Sequence, residues 1–342
     1  MFRVFGYTHP QDAFVCDIEY APATVFKSDD PRAFRNNGKN VFYKFYEDGG
    51  WKFLQSNFSQ YLIFHEMLQS NVIGMKERDI ARVRKPDEEL QKLDVRPKDG
   101  LVIATQRILE LVAERSGISN ANFGVFGSML HGFHHPGFSD IDLIIYGRTE
   151  ISKLRKTLQE LYEDDSSLFR NEFETDQSIR GKRWRFRNFS AREYLWHQRR
   201  KLIYALFSDE NSHRWIKTEF EPVMDWREVI NEYDSVSRIL QRGWIIVKAR
   251  VVEDRDSPFI PSAYGVEVLE VLEGSREALE VSRIVSYLEE FRLQAFKDEI
   301  VYVEGNLEEV VTSEGRFYQI ALTYCLRYYE QVLKSLNYRG VS

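Results

Sequence analysis

Hydrophobic positions change their spacing three times along the chain, and each change predicts a different kind of element. Over residues 2–54 aromatic and β-branched residues recur at short range, which predicts strands and turns rather than helices. In VFYKFYEDGGWKF, residues 41–46 and 51–54 flank Glu47-Asp48-Gly49-Gly50. Adjacent glycines supply the positive φ of a hairpin reversal, so a hairpin is predicted there. Over residues 58–75 Phe64, Met67 and Leu68 fall at three-to-four spacing, which predicts a helix. The polar stretch 82–99, punctuated by Pro86 and Pro97, reads as a connection.

A second style follows. Leu101, Thr105, Ile108, Leu109 and Val112 share one face of a predicted helix over 101–114, with Gly117 as its stop. Residues 122–126 read as a short strand, Gly127-Ser128 as a turn into a short helix, 140–146 as a strand and 151–162 as a helix. A further helix is predicted over 191–206 and a strand over 215–223. From Gly243 the alternation lengthens into strands over 244–252, 263–271, 282–291 and 300–304, the signature of a compact antiparallel domain or small barrel, with a closing helix over 324–336. These patterns predict an α+β protein. A β-rich domain over 1–95 and a small β domain with its closing helix over 236–342 flank a central domain over 96–235, whose mixed sheet is packed with helices.

Composition agrees with several ordered domains. A chain of 342 residues exceeds one ordinary core, and 43% hydrophobic with 29% charged residues is the balance of a globular protein. The net charge of −6 argues against wholesale binding to nucleic acid and leaves room for a local basic face. Cys16 and Cys325 are the two cysteines, which excludes a disulfide framework or a cysteine zinc site; both read as buried small hydrophobes in a reducing compartment. The first residues lack a basic and then apolar leader, and no stretch reaches the ~18 apolar residues of a membrane span, so a cytoplasmic location is expected.

Candidate chemistry concentrates in GVFGSMLHGFHHPGFSDIDLIIYG, residues 124–147. Alternation along a strand puts Asp140 and Asp142 on one face and Ile141 on the other. Two carboxylates side by side suit a hard cation such as Mg2+ (or Mn2+), which is commonly held by one or two carboxylates and by substrate phosphates. Gly127 lets the backbone approach a phosphate, and N–H groups beginning near Ser128, with its hydroxyl, supply donors. An apolar strand, Gly-Ser, a spacer of about a dozen residues and Asp-x-Asp in an apolar strand together resemble the signature of polymerase-β-type nucleotidyltransferases. FGS followed by SDIDLII is most similar to the minimal branch of that superfamily, and the whole chain is similar to uncharacterised archaeal predicted nucleotidyltransferases.

The resemblance implies transfer of a nucleoside monophosphate from an NTP to an acceptor hydroxyl of RNA, a protein or a small molecule, with Gly127 and Ser128 holding phosphates and Asp140 and Asp142 holding metal. It also implies a third carboxylate on a later strand. In WIKTEFEPV, residues 215–223, Trp215, Lys217, Glu219 and Glu221 share a face, and Glu219 is the expected third ligand and base, with Glu221 second. The family more often carries Asp there. The alternative is a catalytically inactive NTP-binding or nucleic-acid-binding regulatory protein. His131, His134 and His135 precede the aspartates; they read as surface residues, as a transition-metal site, or, for His131, as a neighbour of the triphosphate. Residues 180–201 hold nine Lys or Arg against Glu193, interleaved with Trp184, Phe186, Phe189, Tyr194 and Trp196. Such a segment suits RNA, NTP phosphates or pairing with nearby acids.

Overall fold

The computed structural model describes residues 1–93, 99–180, 184–231 and 235–338. The first expected domain boundary, at residues 95 and 96, falls outside these. The chain is mixed α+β and divides into two compact units, one of Met1–Arg82, Arg185–Phe189 and Val229–Ser342, the other of Val83–Trp184 and Ser190–Glu228. The β-rich beginning and end of the chain therefore share one unit.

That unit begins with strands β1 (Phe2–Val4), β2 (Ala13–Ile18), β3 (Tyr20–Pro22), β4 (Phe34–Asn36) and β5 (Val41–Lys44), helix α1 (Gly49–Asn57), and strands β6 (Leu62–His65) and β7 (Ser70–Lys76). Two sequence expectations fail here. Gly49 and Gly50 start α1 instead of turning a hairpin, and the positive φ falls on Glu47, at 51°. Gly50 serves close packing: a Cβ there would lie 2.6 Å from Cγ2 of Ile18 on β2. Residues 58–75 contain a β-hairpin rather than a helix, with Gln69 at φ 49° in its turn. The period of two wins because Ile63 and His65 are buried while Phe64, between them, is exposed. Gly74 leaves room for Ile63 across the ladder, since a Cβ on it would meet Ile63 Cδ1 at 2.2 Å.

The second unit runs α2 (Pro86–Leu93), α3 (Gly100–Ser116), β8 (Phe123–Val125), α4 (Gly127–His131), β9 (Ile141–Tyr146), α5 (Arg148–Glu163), β10 (Phe169–Asn171), α6 (Ala191–Lys201), β11 (Tyr204–Asp209) and β12 (Arg214–Val223). Asp99 caps α3 by accepting the N–H groups of Leu101 and Val102, and Gly117 ends it at φ 68°. The sheet order is β10-β11-β12-β9-β8, with β12 parallel to β9 and the other pairs antiparallel. Ile141, Leu143, Ile145, Ile216, Thr218 and Phe220, on the face away from Asp142, are all buried. The helix expected over 191–206 stops at Lys201, where Leu202 turns left-handed at φ 55° and the chain enters β11.

The first unit resumes with β13 (Val236–Glu253), β14 (Ser262–Glu273), β15 (Val281–Ser286), β16 (Ile300–Thr312), β17 (Arg316–Leu322) and β18 (Val332–Ser335). β13 pairs with β14 and β14 with β15, β15 lies parallel to β17, β17 pairs with β16, and β16 returns to β13, closing a five-stranded barrel. β13 is long enough to serve two neighbours because it coils, with Gly243 at φ 103° and several register shifts. Val247, Ala249, Tyr264, Ile284, Val303, Leu307 and Ile320 are buried barrel residues.

The expected closing helix over 324–336 is absent. Its aromatic residues pack as a cluster, Tyr324 stacking on Tyr328 at 5.8 Å, and residues 332–335 pair with β16 as β18. A sheet edge with unused hydrogen-bonding groups outcompetes modest helix propensity. The β-rich start packs on the barrel through Met67 against Val236, Ile239 and Val310, and through Phe5 against Tyr287 at 5.9 Å.

Candidate active site

The motif strand β8 ends at Val125, and Phe126 remains extended while its N–H donates to the Asp142 carbonyl at 2.8 Å. Gly127 then adopts φ 55°, a conformation that penalises any side chain with a Cβ. A Cβ on Gly127 would lie 1.9 Å from Oδ2 of Asp142, so the turn and the carboxylate are in direct contact. Ser128 is buried in the first turn of α4, and Gly132 closes that helix at φ 70°.

Asp142 is the second residue of β9 and is half-buried; Asp140 stands one residue before the strand and is exposed. The segment ahead of Asp140 is pinned on both sides. His135 N–H donates to Ser139 Oγ at 2.8 Å, and Arg214 Nη2 donates to the Ser139 carbonyl at 2.5 Å.

Strand pairing separates the two glutamates. In the parallel β12–β9 ladder Glu219 is the register partner of Asp142, and Glu221 that of Ile144. Register partners point to the same face and stand about 5 Å apart. Glu219 therefore borders the aspartate, whereas Glu221, only 6% exposed, belongs to the packed part of the sheet. Tyr204 on β11 is the register partner of Glu219, and two residues before Glu219, Lys217 pairs with Glu172 at 2.6 Å.

Carboxylates in register offer the hard oxygen donors that a magnesium-class ion takes. Among the described residues no three His, Cys, Asp or Glu side chains gather into a metal-holding group. The hard donors that strand pairing brings side by side are the two carboxylates of Asp142 and Glu219.

Two of the three histidines of this segment have well-defined separate partners. His134 Nε2 lies 2.9 Å from Oδ2 of Asp99, and the His135 ring stacks on Phe138 at 4.0 Å. His131 Nδ1 stands 3.5 Å from Arg84 Nη1. Arg148 heads α5 with its backbone N–H on the Glu228 carboxylate and its guanidinium 3.6 Å from it.

The basic segment is distributed. Residues 181–183 lie outside the described residues; Arg185 pairs with Glu47 at 3.0 Å and Arg187 with Glu330 at 3.2 Å in one unit. Its later part forms α6 of the other unit, opened by a Ser190–Glu193 capping box. In α6 Lys201 is fully buried, and burial pushes the His197 imidazole down to about 3, so that it stays neutral. Neither burial has a sequence signal, because lysine and histidine side chains are ordinarily not fully buried.

Residues 105–200 match the family model described as a nucleotidyltransferase domain. The central section is a nucleotidyltransferase domain of the polymerase-β type. The matched span opens within α3 and closes within α6, so it contains Gly127, Ser128, Asp140 and Asp142 and stops before Glu219. Over 323 residues the chain is 24% identical to the uncharacterized protein MJ1086 of Methanocaldococcus jannaschii, covering 93% of this chain and 90% of that one. The similarity thus extends through both units, beyond the domain itself. No solved structure gives a significant match.

Proposed function

We propose that this nucleotidyltransferase domain moves a nucleoside monophosphate from an NTP to an acceptor hydroxyl, with Asp140, Asp142 and Glu219 as the acidic residues of the site. The observation that carries the reading is the contact of Gly127 with the Asp142 carboxylate together with the Glu219–Asp142 register. One nucleotide can then touch the turn with its phosphates while its α-phosphate lies over the acids. A divalent ion such as Mg2+ or Mn2+, held by Asp140, Asp142 and Glu219 with phosphate oxygens, would supply charge neutralisation and a lowered pKa for the attacking hydroxyl.

The rest belongs to the chain's own groups. Backbone N–H groups at Gly127 and Ser128, with the Ser128 hydroxyl, orient the triphosphate. Glu219 borders the place where the acceptor oxygen bonds to the α-phosphorus, and its carboxylate receives the hydroxyl proton as the bond to pyrophosphate breaks. The acceptor is an RNA, a protein or a small alcohol. A cytoplasmic setting suits the use of NTP, and both cysteines are free thiols. No helix of the described residues is long and apolar enough to cross a membrane.

A second reading, an NTP-binding or nucleic-acid-binding regulator without turnover, is favoured by one feature, the family match ending before Glu219.

The test is incubation with each labelled NTP, Mg2+ or Mn2+, and total cellular RNA and protein, beside the Asp140→Ala/Asp142→Ala variant. Label is expected on one acceptor class with the native chain and on none with the variant, which keeps its native circular dichroism. Glu219→Gln is expected to lose transfer and Glu221→Gln to retain it. Equal labelling by native chain and double variant sinks the proposal; nucleotide binding without any transfer favours the regulator.

A further inference from the structure

Beyond the carboxylates, the catalytic face of the sheet continues along the β11–β12 hairpin. The β12–β9 ladder starts at Thr218–Ile141, so Lys217 and Trp215 project past the beginning of β9. Both point to the same side as Glu219, because they precede it by two and four residues. Trp215 lies 47% exposed there, whereas Ile216 and Phe207 on the opposite side are buried. The Arg170 guanidinium, from β10, stands 5.4 Å from the centre of the indole ring.

A single exposed apolar residue is ordinary. This one differs in its setting. Its neighbours on the face include the cation Arg170, the ion-paired Lys217, the half-buried Leu206 and Ser208, its register partner on β11, so the setting is largely polar and basic. An aromatic plane beside guanidinium groups is how single-stranded nucleic acid is held, a base stacking on the ring and phosphates meeting the cations. Arg214, the residue before Trp215 on β12, donates to the Ser139 carbonyl next to Asp140, which ties the hairpin to the segment ahead of the aspartates.

Four residues of strand separate Trp215 from Glu219, roughly 13 Å. That is a span of about four stacked nucleotides. We infer that Trp215 and Arg170 form an acceptor platform, and that the acceptor is the 3′ end of a single-stranded RNA whose terminal hydroxyl reaches Glu219 while an upstream base stacks on Trp215. The inference rests on the transferase reading for the meaning of the carboxylates, but its test does not use turnover.

The binding of a fluorescein-labelled single-stranded RNA dodecamer to the full chain is measured by polarization without NTP, for the native chain and for Trp215→Ala, Trp215→Phe and Arg170→Ala. Trp215→Ala is expected to weaken binding about tenfold, the loss of one stacked base. Trp215→Phe should return it to within about threefold of native and Arg170→Ala weaken it several-fold, with the duplex form of the same RNA bound weakly. Circular dichroism checks that each variant is folded. No binding of the dodecamer by the native chain, equal binding by Trp215→Ala, or Trp215→Ala losing a stoichiometric protein partner instead of RNA each overturns the platform. Should RNA binding follow Trp215 while no nucleotide is ever transferred, the transferase reading fails and the platform stands.

Discussion

Gly127 is the residue on which the site turns. Its left-handed φ costs any other L-residue about 1–2 kcal/mol, and the added carbon would displace the Asp142 carboxylate. Gly127→Ala is therefore expected to lower the melting temperature by a few degrees and to weaken NTP binding, by calorimetric titration, disproportionately. Unchanged affinity would mean that the turn and the carboxylate do not serve one ligand. At this scale most of the proposed site was legible, since Gly127, Ser128, Asp140 and Asp142 stand within sixteen residues and their relation depends on strand alternation and one turn. Glu219 was legible only as one of two candidates for the proposed third acid, because which of it and Glu221 borders Asp142 depends on the register of β12 on β9.

Elements show where periodicity decides and where it does not. Beside the site α3 formed as its pattern predicts, capped by Asp99 and stopped by Gly117, whereas α6 ended at Lys201, short of its expected end. The hairpin expected at Gly49-Gly50 became α1 because the glycine's missing side chain is used against Ile18. That explanation has a direct consequence. At an ordinary helical position Gly→Ala stabilises by up to about 1 kcal/mol, whereas Gly50→Ala should destabilise by about 1–3 kcal/mol through overpacking. Urea denaturation measures the sign, and a stabilised variant would contradict the close packing. The same logic covers β6, β7 and β18, whose short apolar runs fit either period until a partner strand supplies hydrogen bonds.

For the whole molecule the decisive contacts join distant parts of the sequence. Within the barrel-bearing unit Asp17 of β2 accepts a hydrogen bond from the Tyr324 hydroxyl at 2.9 Å and one from the Ile18 N–H at 2.8 Å. Burial pushes the Asp17 carboxyl up to about 6, against the opposing effect of these hydrogen bonds and with smaller help from Glu19 and Glu289. An acid raised above its unfolded value of 3.8 binds its proton more tightly when folded. The stability it contributes is full below pH 4 and is lost as pH rises through about 6. Asp17→Asn, which keeps one acceptor oxygen, can donate its amide N–H to the Tyr324 hydroxyl as a protonated acid would, and carries no charge, should match the native chain near pH 4 and melt higher at pH 7; an equal difference at both pH values would exclude the ionisation. By itself the sequence determined the α+β class, the helices beside the site and the glycine-serine turn with its aspartates, since each depends on neighbours a few residues away along the backbone. Only the tertiary structure decided that Glu219 borders Asp142, that Trp215 lies on the same face of the sheet as both, and that the two β-rich ends share one unit. Those relations come from strand register and buried contacts between residues tens to hundreds of positions apart, which local propensity and periodicity do not encode.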